Sequence, residues 1–346
     1  MFELNKLLRP HIADLKPYSS AKDEYTGGYG IFLDANENAL GSASSTTHNR
    51  YPDPYQKEVK TKIAALKGVD VSNIFLGNGS DDIIDLLFRV LCRPEKDNII
   101  IMPPTFGMYQ VAADVNTIEY RVAPLTDKFE LQADKVLEQV DENTKMIFVC
   151  TPNNPTGNDL STQEINKIIE NFEGIVVVDE AYADFTTQES YINHLEQYPN
   201  VVVLQTFSKA WGMAELRLGM AFASSDIIHV LNKVKMPYNI NGITQKIALD
   251  ALENANKKED MVAALIEERK RLEAILPTLD VVQHVYPSDA NFLLVKVEDA
   301  NDIYQKLMDK KVIVRNISKA PGCEGCLRIS VGTAEENAVL LDVLRD

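Results

Sequence analysis

Apolar positions along the chain fall into two kinds of run. Asn98 to Met102, Lys145 to Cys150, Gly174 to Val178, Val201 to Leu204 and Leu218 to Ala223 are apolar almost throughout, with no alternation. Such runs predict strands of a mostly parallel sheet covered on both faces. The second kind repeats at helical spacing. Val59, Ile63, Ala64 and Leu66 predict a helix over 55–67. Ile83, Ile84, Leu86, Leu87, Val90 and Leu91 predict another behind the glycine loop Gly77-Asn78-Gly79, with Ser80 as its N-cap and two aspartates in its first turn. A strand near 117–122 and a helix near 131–139 follow. Ser161 and Glu164 have the spacing of a capping box for the next helix. Strands alternating with helices make this an α/β domain, whose ligands bind at the carboxyl ends of the strands.

Beyond about residue 245 the pattern changes. Helices over 243–255 and 258–276 lead to strand candidates at Asn291 to Val297, Val312 to Arg315 and Cys326 to Val331. One helix lies over 301–310 and another ends the chain. This reads as a smaller α+β domain. The expected division is an N-terminal arm over 1–35, packing with the small domain or a partner subunit, a large domain over 36–245, and a small domain over 246–346. Pro10, Pro17, Gly27, Gly28 and Gly30 break up the arm, and Ile31 to Asp34 is a short strand candidate.

Charge narrows the partners. A net charge of -16 argues against a nucleic acid or an anionic membrane surface, and makes each arginine beside a motif informative. No apolar run reaches transmembrane length and the first residues lack a signal-peptide core, so the expected compartment is the cytoplasm. Cys92 and Cys150 fall in apolar runs and read as reduced core residues. Cys323 and Cys326 form one C-x-x-C, too few ligands for a zinc site. A redox role and a glycine-rich turn entering a strand both fit it.

The strand ends carry the chemistry. Pro103-Pro104-Thr105-Phe106-Gly107-Met108-Tyr109, Thr151-Pro152-Asn153-Asn154-Pro155-Thr156-Gly157, Asp179-Glu180-Ala181-Tyr182 and Thr206-Phe207-Ser208-Lys209 each follow a strong strand. They supply an aromatic, an amide, an acid with a tyrosine, and a lysine flanked by hydroxyls, with Arg217 close behind. Pyridoxal phosphate requires these parts: a stacking ring, an acid for the pyridinium nitrogen, donors for the ring oxygen, a lysine for the aldehyde and a phosphate cradle. Taken singly, Asp179 also fits a helix cap, Asn154 turn chemistry, Phe106 and Tyr182 core packing, and the glycine loop an ordinary capped helix.

Together these motifs resemble the fold type I, pyridoxal-phosphate-dependent aminotransferases of class I and II, over nearly the whole chain. Within that group the similarity is greatest to the histidinol-phosphate aminotransferases, through Leu33 to Asn38, Arg50 to Tyr55, Gly77 to Asp82, Pro103 to Tyr109, Met236 to Asn239 and Cys326 to Thr333. The resemblance implies that Lys209 bonds the cofactor, Asp179 pairs with its ring nitrogen, and Asn154 and Tyr182 bond its ring oxygen. Phe106 stacks on the ring where the family usually has tyrosine. Ser80, Asp81, Thr206, Ser208 and Arg217 surround the phosphate. Tyr51 reaches that phosphate from the neighbouring subunit, which implies a homodimer with shared active sites. For the substrates, histidinol phosphate and glutamate or 2-oxoglutarate, it implies Arg328, Arg315 and Tyr18, with Asn36 and Tyr238 lining the same pocket. Arg315 equally fits a surface charge at a strand end. Decarboxylation of threonine phosphate, transamination of aromatic or branched-chain amino acids, and a cofactor-sensing regulator without turnover compete with this reading. The last lacks a basic helix-turn-helix pattern.

Overall fold

The computed structural model describes residues 2–18 and 30–345. The arm's predicted breakers Gly27 and Gly28 lie outside them.

Seven strands form the larger sheet: β1 (Ile74–Gly77), β2 (Asn98–Ile101), β3 (Glu119–Val122), β4 (Thr144–Cys150), β5 (Ile175–Asp179), β6 (Val201–Thr206) and β7 (Gly219–Ala223). Their spatial order is β1-β7-β6-β5-β4-β2-β3. Strands β2 to β6 run parallel, while β7 pairs antiparallel with both β6 and β1. The unbroken apolar runs follow from this placement. Along β5, Val176 and Val178 enter the core on one face, while Ile175 and Val177 enter the core on the other. The chain winds outward from β2 to β3 and then back through β4, β5 and β6. The order therefore reverses between β2 and β4, where a crevice opens at the carboxyl ends.

A second, antiparallel sheet takes β8 (Val282–Val285), β9 (Phe292–Val297), β10 (Arg315–Asn316) and β11 (Cys326–Ser330) in the order β10-β11-β9-β8. Helices Ala300–Asp309 and Ala334–Arg345 cover it through Ile303, Leu307, Leu340 and Leu344. Helix Ala255–Ile275 carries the chain between the sheets. Its Leu272 lies in the small core, and its Val262 packs with Tyr182, Phe185 and Ala210 beside the large sheet.

Several expectations are corrected. Ile31 to Asp34 forms no strand: Ile31 and Leu33 are exposed and pair with no sheet edge. The predicted strand over 312–315 is borne out only at Arg315, the strand being Arg315–Asn316, and β8 appears where none was predicted, because Gln283 and His284 interrupt its apolar pattern. Gly79 (φ 84°), not Ser80, is the N-cap of helix Ser80–Leu91. The Ser161 box does not close. Ser161 makes no side-chain cap, and Glu164 instead accepts from Ala133 N at 2.6 Å. The described start of the arm rests on the large domain rather than the small one. Leu8 and Ile12 join the core beneath helix Ser80–Leu91, and Arg9 N donates to Val90 O at 3.0 Å. Phe2, Leu4 and Leu7 pack against the same core, and Lys233 Nζ donates to Ile12 O at 3.1 Å and Ala13 O at 2.9 Å, which fixes the docking.

Candidate active site

The loops after β2, β4, β5 and β6 close around one cavity of about 570 Å³, which the small domain completes from the far side. Phe106, Asn154, Asp179, Tyr182, Lys209, Ser80, Asp81, Thr206, Ser208, Arg217, Arg315 and Arg328 all line it. The sheet explains this convergence, since neighbouring parallel strands end at one level and each delivers its next few residues to the same rim.

At the floor, Asp179 ends β5 and is buried. Its Oδ2 accepts from Tyr109 Oη at 2.6 Å and its Oδ1 from Ala181 N at 3.1 Å. Burial pushes the Asp179 carboxyl up from 3.8 to about 6, against the pull of those two donors. The next carboxylate, Glu180, faces away and is fully occupied. It accepts from Tyr191 N at 2.7 Å, Gln205 Nε2 at 3.0 Å and Ser190 Oγ, so it locks the loop and takes no part in the cavity.

Lys209 stands in the cavity with its ammonium 5.5 Å from the centre of the Tyr182 ring. The walls strip away part of its hydration and Arg328 adds a like charge, so its pKa is lowered. Tyr182 Oη accepts from Asn154 Nδ2 at 3.5 Å, and Asn154 Oδ1 accepts from Arg328 at 2.5 Å. One amide thus joins the floor of the cavity to the small domain. The neighbouring Asn153 is structural: its amide donates to Pro104 O at 2.9 Å and to Thr156 Oγ1 at 2.7 Å, tying the β4 loop to the β2 loop.

The opposite end is shaped for an anion. Helix Ser80–Leu91 begins there with its first backbone N–H groups unclaimed by the helix. Arg217 follows in a left-handed conformation (φ 49°), 3.5 Å from Asp81. Gly79 is favoured beside it by its own positive φ of 84°, which side chains rarely adopt, and its missing Cβ leaves room for the Arg217 guanidinium. Gly219 is equally constrained, since its Cβ would meet Ser80 N at 2.3 Å. Thr206 Oγ1 accepts from Ser208 N at 3.1 Å, which presents both hydroxyls on one turn.

Arg315 and Arg328 are register partners on β10 and β11, so adjacent strands point two guanidinium groups into the cavity. Burial lowers the pKa of Arg328, and the charge of Arg315 lowers it further. An incoming anion would relieve both penalties.

Four expected residues are not brought to this cavity. Asn36, Tyr51 and Tyr238 line a separate groove of about 1230 Å³ that shares no lining residue with it. There the rings of Tyr51 and Tyr238 stack at 4.5 Å, and Arg50 pairs with Glu37 at 2.6 Å. Tyr18, exposed, lies near Tyr55 and Lys235. These residues sit on segments without regular structure, so no strand end aims them at the cavity. Conversely, the sequence reading passed over Tyr109 as a partner of Asp179. A second ring one helical turn after Phe106, carrying a hydroxyl, was the available signal. Cys323 and Cys326 are buried free thiols in the glycine turn that enters β11, as the turn reading expected.

A model of the aminotransferase class I and II family matches residues 24–344. A histidinol-phosphate aminotransferase from Cytophaga hutchinsonii is 54% identical over 99% of both chains. Among solved structures, the histidinol-phosphate aminotransferase from Sinorhizobium meliloti in complex with pyridoxal-5'-phosphate superposes with a TM-score of 0.80 at 22% identity, covering 90% of this chain and 89% of its own. L-threonine-O-3-phosphate decarboxylase from Porphyromonas gingivalis reaches a TM-score of 0.72, also at 22% identity, over 86% and 90%. The shared fold therefore does not separate amino transfer from decarboxylation.

Proposed function

The chain belongs to the class I and II aminotransferase family, and we propose that it transfers an amino group between L-histidinol phosphate and 2-oxoglutarate with pyridoxal phosphate as cofactor. The carrying observation is the pair of facing guanidinium groups, Arg315 and Arg328, in the same cavity as Lys209 and Asp179. A phosphate dianion can use both, whereas a carboxylate is satisfied by one. The 54% identity along the whole chain to a protein of that activity supports the substrate choice.

The residues fit the cofactor's chemistry. A buried carboxylate lies at one end of the cavity, a helix start with an arginine and two hydroxyls at the other, and a lysine between them. Asp179 would pair with the ring nitrogen, Asn154 and Tyr182 with the ring oxygen, and Phe106 would stack on the ring face. Ser80, Asp81, Thr206, Ser208 and Arg217 would hold the phosphate, and Lys209 the aldehyde carbon. Bound there, pyridoxal phosphate supplies an electron sink for the bond broken at the substrate's amine-bearing carbon. Lys209, with its lowered pKa, is suited to take the proton from that carbon and carry it. Tyr182 stays protonated, because burial raises its pKa, and so remains a hydrogen-bond donor. Arg328 positions the distal anion and, through Asn154, registers the small domain against the cofactor end.

Within this proposal the large domain, to about residue 245, holds the cofactor and the remainder carries the arginines. A second copy would bring Tyr51, and with it Tyr18, Asn36 and Tyr238, to the cavity. Exposed Ile31, Leu33, Leu40 and Met236 provide apolar surface for such a contact. Four free, buried cysteines accord with work in the cytoplasm.

The test is a panel of histidinol phosphate, phenylalanine, tyrosine, aspartate and threonine phosphate with 2-oxoglutarate as acceptor. Glutamate formation greatest with histidinol phosphate is the expected result. Carbon dioxide release from threonine phosphate without glutamate would overturn it.

A further inference from the structure

We propose that Tyr109 is a positioning residue for this reaction: its phenol, donating to Asp179 at 2.6 Å, holds that carboxylate ionised and fixes which oxygen faces the cavity. The proposal rests on the pyridoxal phosphate reading above, because it concerns the group that reading places on the ring nitrogen.

Tyr109 is the second residue of helix Met108–Val115 and is fully buried. Its ring stacks on Phe148 of β4 at 4.6 Å and meets Phe106 edge-on at 5.5 Å, so the hydroxyl has one fixed direction. Phe106 lines the cavity, while Tyr109 lies behind it and does not. The helix therefore lends one aromatic to the cavity and one to the carboxylate beneath. Ala181 N occupies Oδ1 and Tyr109 occupies Oδ2. With both oxygens tethered, the carboxylate cannot rotate. Burial and the negative charge of Asp179 both raise the phenol's pKa, so Tyr109 remains the donor.

Other titratable groups also face Asp179. Asp81 opposes its ionisation and Lys209 favours it, while Cys150 and Tyr182 lie beside it in their neutral forms. Lys209 is committed to the aldehyde carbon in this reading. That leaves the phenol and the Ala181 amide as the fixed donors that keep the acid charged. Without the phenol the carboxyl would titrate higher and no longer hold a proton on the ring nitrogen at neutral pH.

The first experiment needs no cofactor. Protein labelled with carbon-13 at the aspartate carboxyls is titrated by NMR, with the Asp179 signal identified by its loss in Asp179→Asn. Tyr109→Phe should raise the Asp179 midpoint by about one to two pH units, the range of a charge-assisted hydrogen bond. Incorporating 3-fluorotyrosine keeps the packing and strengthens the donor, so the midpoint should fall. In the loaded enzyme, nitrogen-15 pyridoxal phosphate should report a protonated ring nitrogen in the wild type at pH 8 and a shift toward neutral in Tyr109→Phe. kcat should drop about ten- to a hundredfold with KM for histidinol phosphate little changed. A midpoint unmoved by both substitutions would overturn the proposal, and so would an unmoved nitrogen signal in Tyr109→Phe. Expected NMR shifts combined with a different preferred substrate would overturn the substrate assignment alone.

Discussion

The cavity at Lys209 and the groove at Tyr51 are built by different means. Four strand ends form the core of the first: Asp179 closes β5, Lys209 follows β6, Asn154 follows β4, and Phe106 follows β2, with a helix start and the small domain's β10 and β11 completing it. Hydrogen bonds of 2.6 Å and 3.1 Å fix its acid, and facing strands fix its arginines. The second lies between loops over 35–52 and 237–241 and the start of helix Gly242–Glu253, with Tyr51 on the loop side and half exposed. A sheet delivers side chains to a common rim at no added ordering cost, whereas a loop must be held by something else. In the proposed function the cofactor end belongs to a single chain, and Tyr51 serves a site completed by a second copy.

The sharpest test of the preformed side is Lys209→Ala. Activity should fall by about three orders of magnitude or more, since the proposed proton carrier and attachment point are both lost. Far-ultraviolet circular dichroism should be unchanged. In the wild type, borohydride should fix the cofactor's absorbance onto a peptide containing Lys209. Label recovered on Lys233 instead would break the assignment of the whole cavity.

Mixing probes the other side. Tyr51→Ala and Lys209→Ala proteins, each inactive alone, should recover activity on subunit exchange, because a mixed dimer contains one intact site. Random re-pairing predicts about a quarter of wild-type activity. No recovery after exchange verified by mass would mean that Tyr51 serves its own chain.

The same contrast governs what the sequence could disclose. The five strongest strands of the large sheet were legible because both faces are covered and nearly every position is apolar. The residues after them were legible because four polar clusters at four strand ends form a chemical set. Tyr109 escaped because it is defined by what it faces, and a buried phenol looks like any core aromatic until Asp179 is located against it. The capping box at Ser161 escaped for a related reason: Glu164 had a competing long-range partner in Ala133 N. For Asn36, Tyr51 and Tyr238 the resemblance supplied roles, but neither periodicity nor a strand end supplied a location.

Burial of Asp179 has a consequence for the cofactor-free protein. Its folded carboxyl titrates near 6 rather than 3.8, so between those values the folded state retains a proton that the unfolded chain has lost. Stability therefore falls as pH rises through that window, and the penalty is complete above it. Asp179→Asn can still accept from Tyr109 but carries no charge. Cofactor-free Asp179→Asn should match the wild type near pH 4 and exceed it above pH 7 by roughly 3 kcal/mol in urea unfolding. A constant difference across pH would show that the buried charge is not what limits stability there.

The smallest expected effect belongs to Arg315, the one member of the cavity set on an exposed two-residue strand. Arg328 is partly buried and anchored to Asn154, so it can serve both glutamate and the phosphorylated substrate. Arg315 can add a second guanidinium only where the ligand has charge to spare, and solvent weakens that contribution. Arg315→Ala should therefore lower kcat/KM for histidinol phosphate by about tenfold, toward the lower end expected for a charge-assisted hydrogen bond, and barely affect the half-reaction with glutamate. Arg328→Ala should impair both. Single-turnover absorbance changes, followed separately for each half-reaction, distinguish the two. Equal slowing of both half-reactions in Arg315→Ala would move phosphate recognition away from the β10–β11 pair and remove the observation on which the substrate assignment chiefly rests.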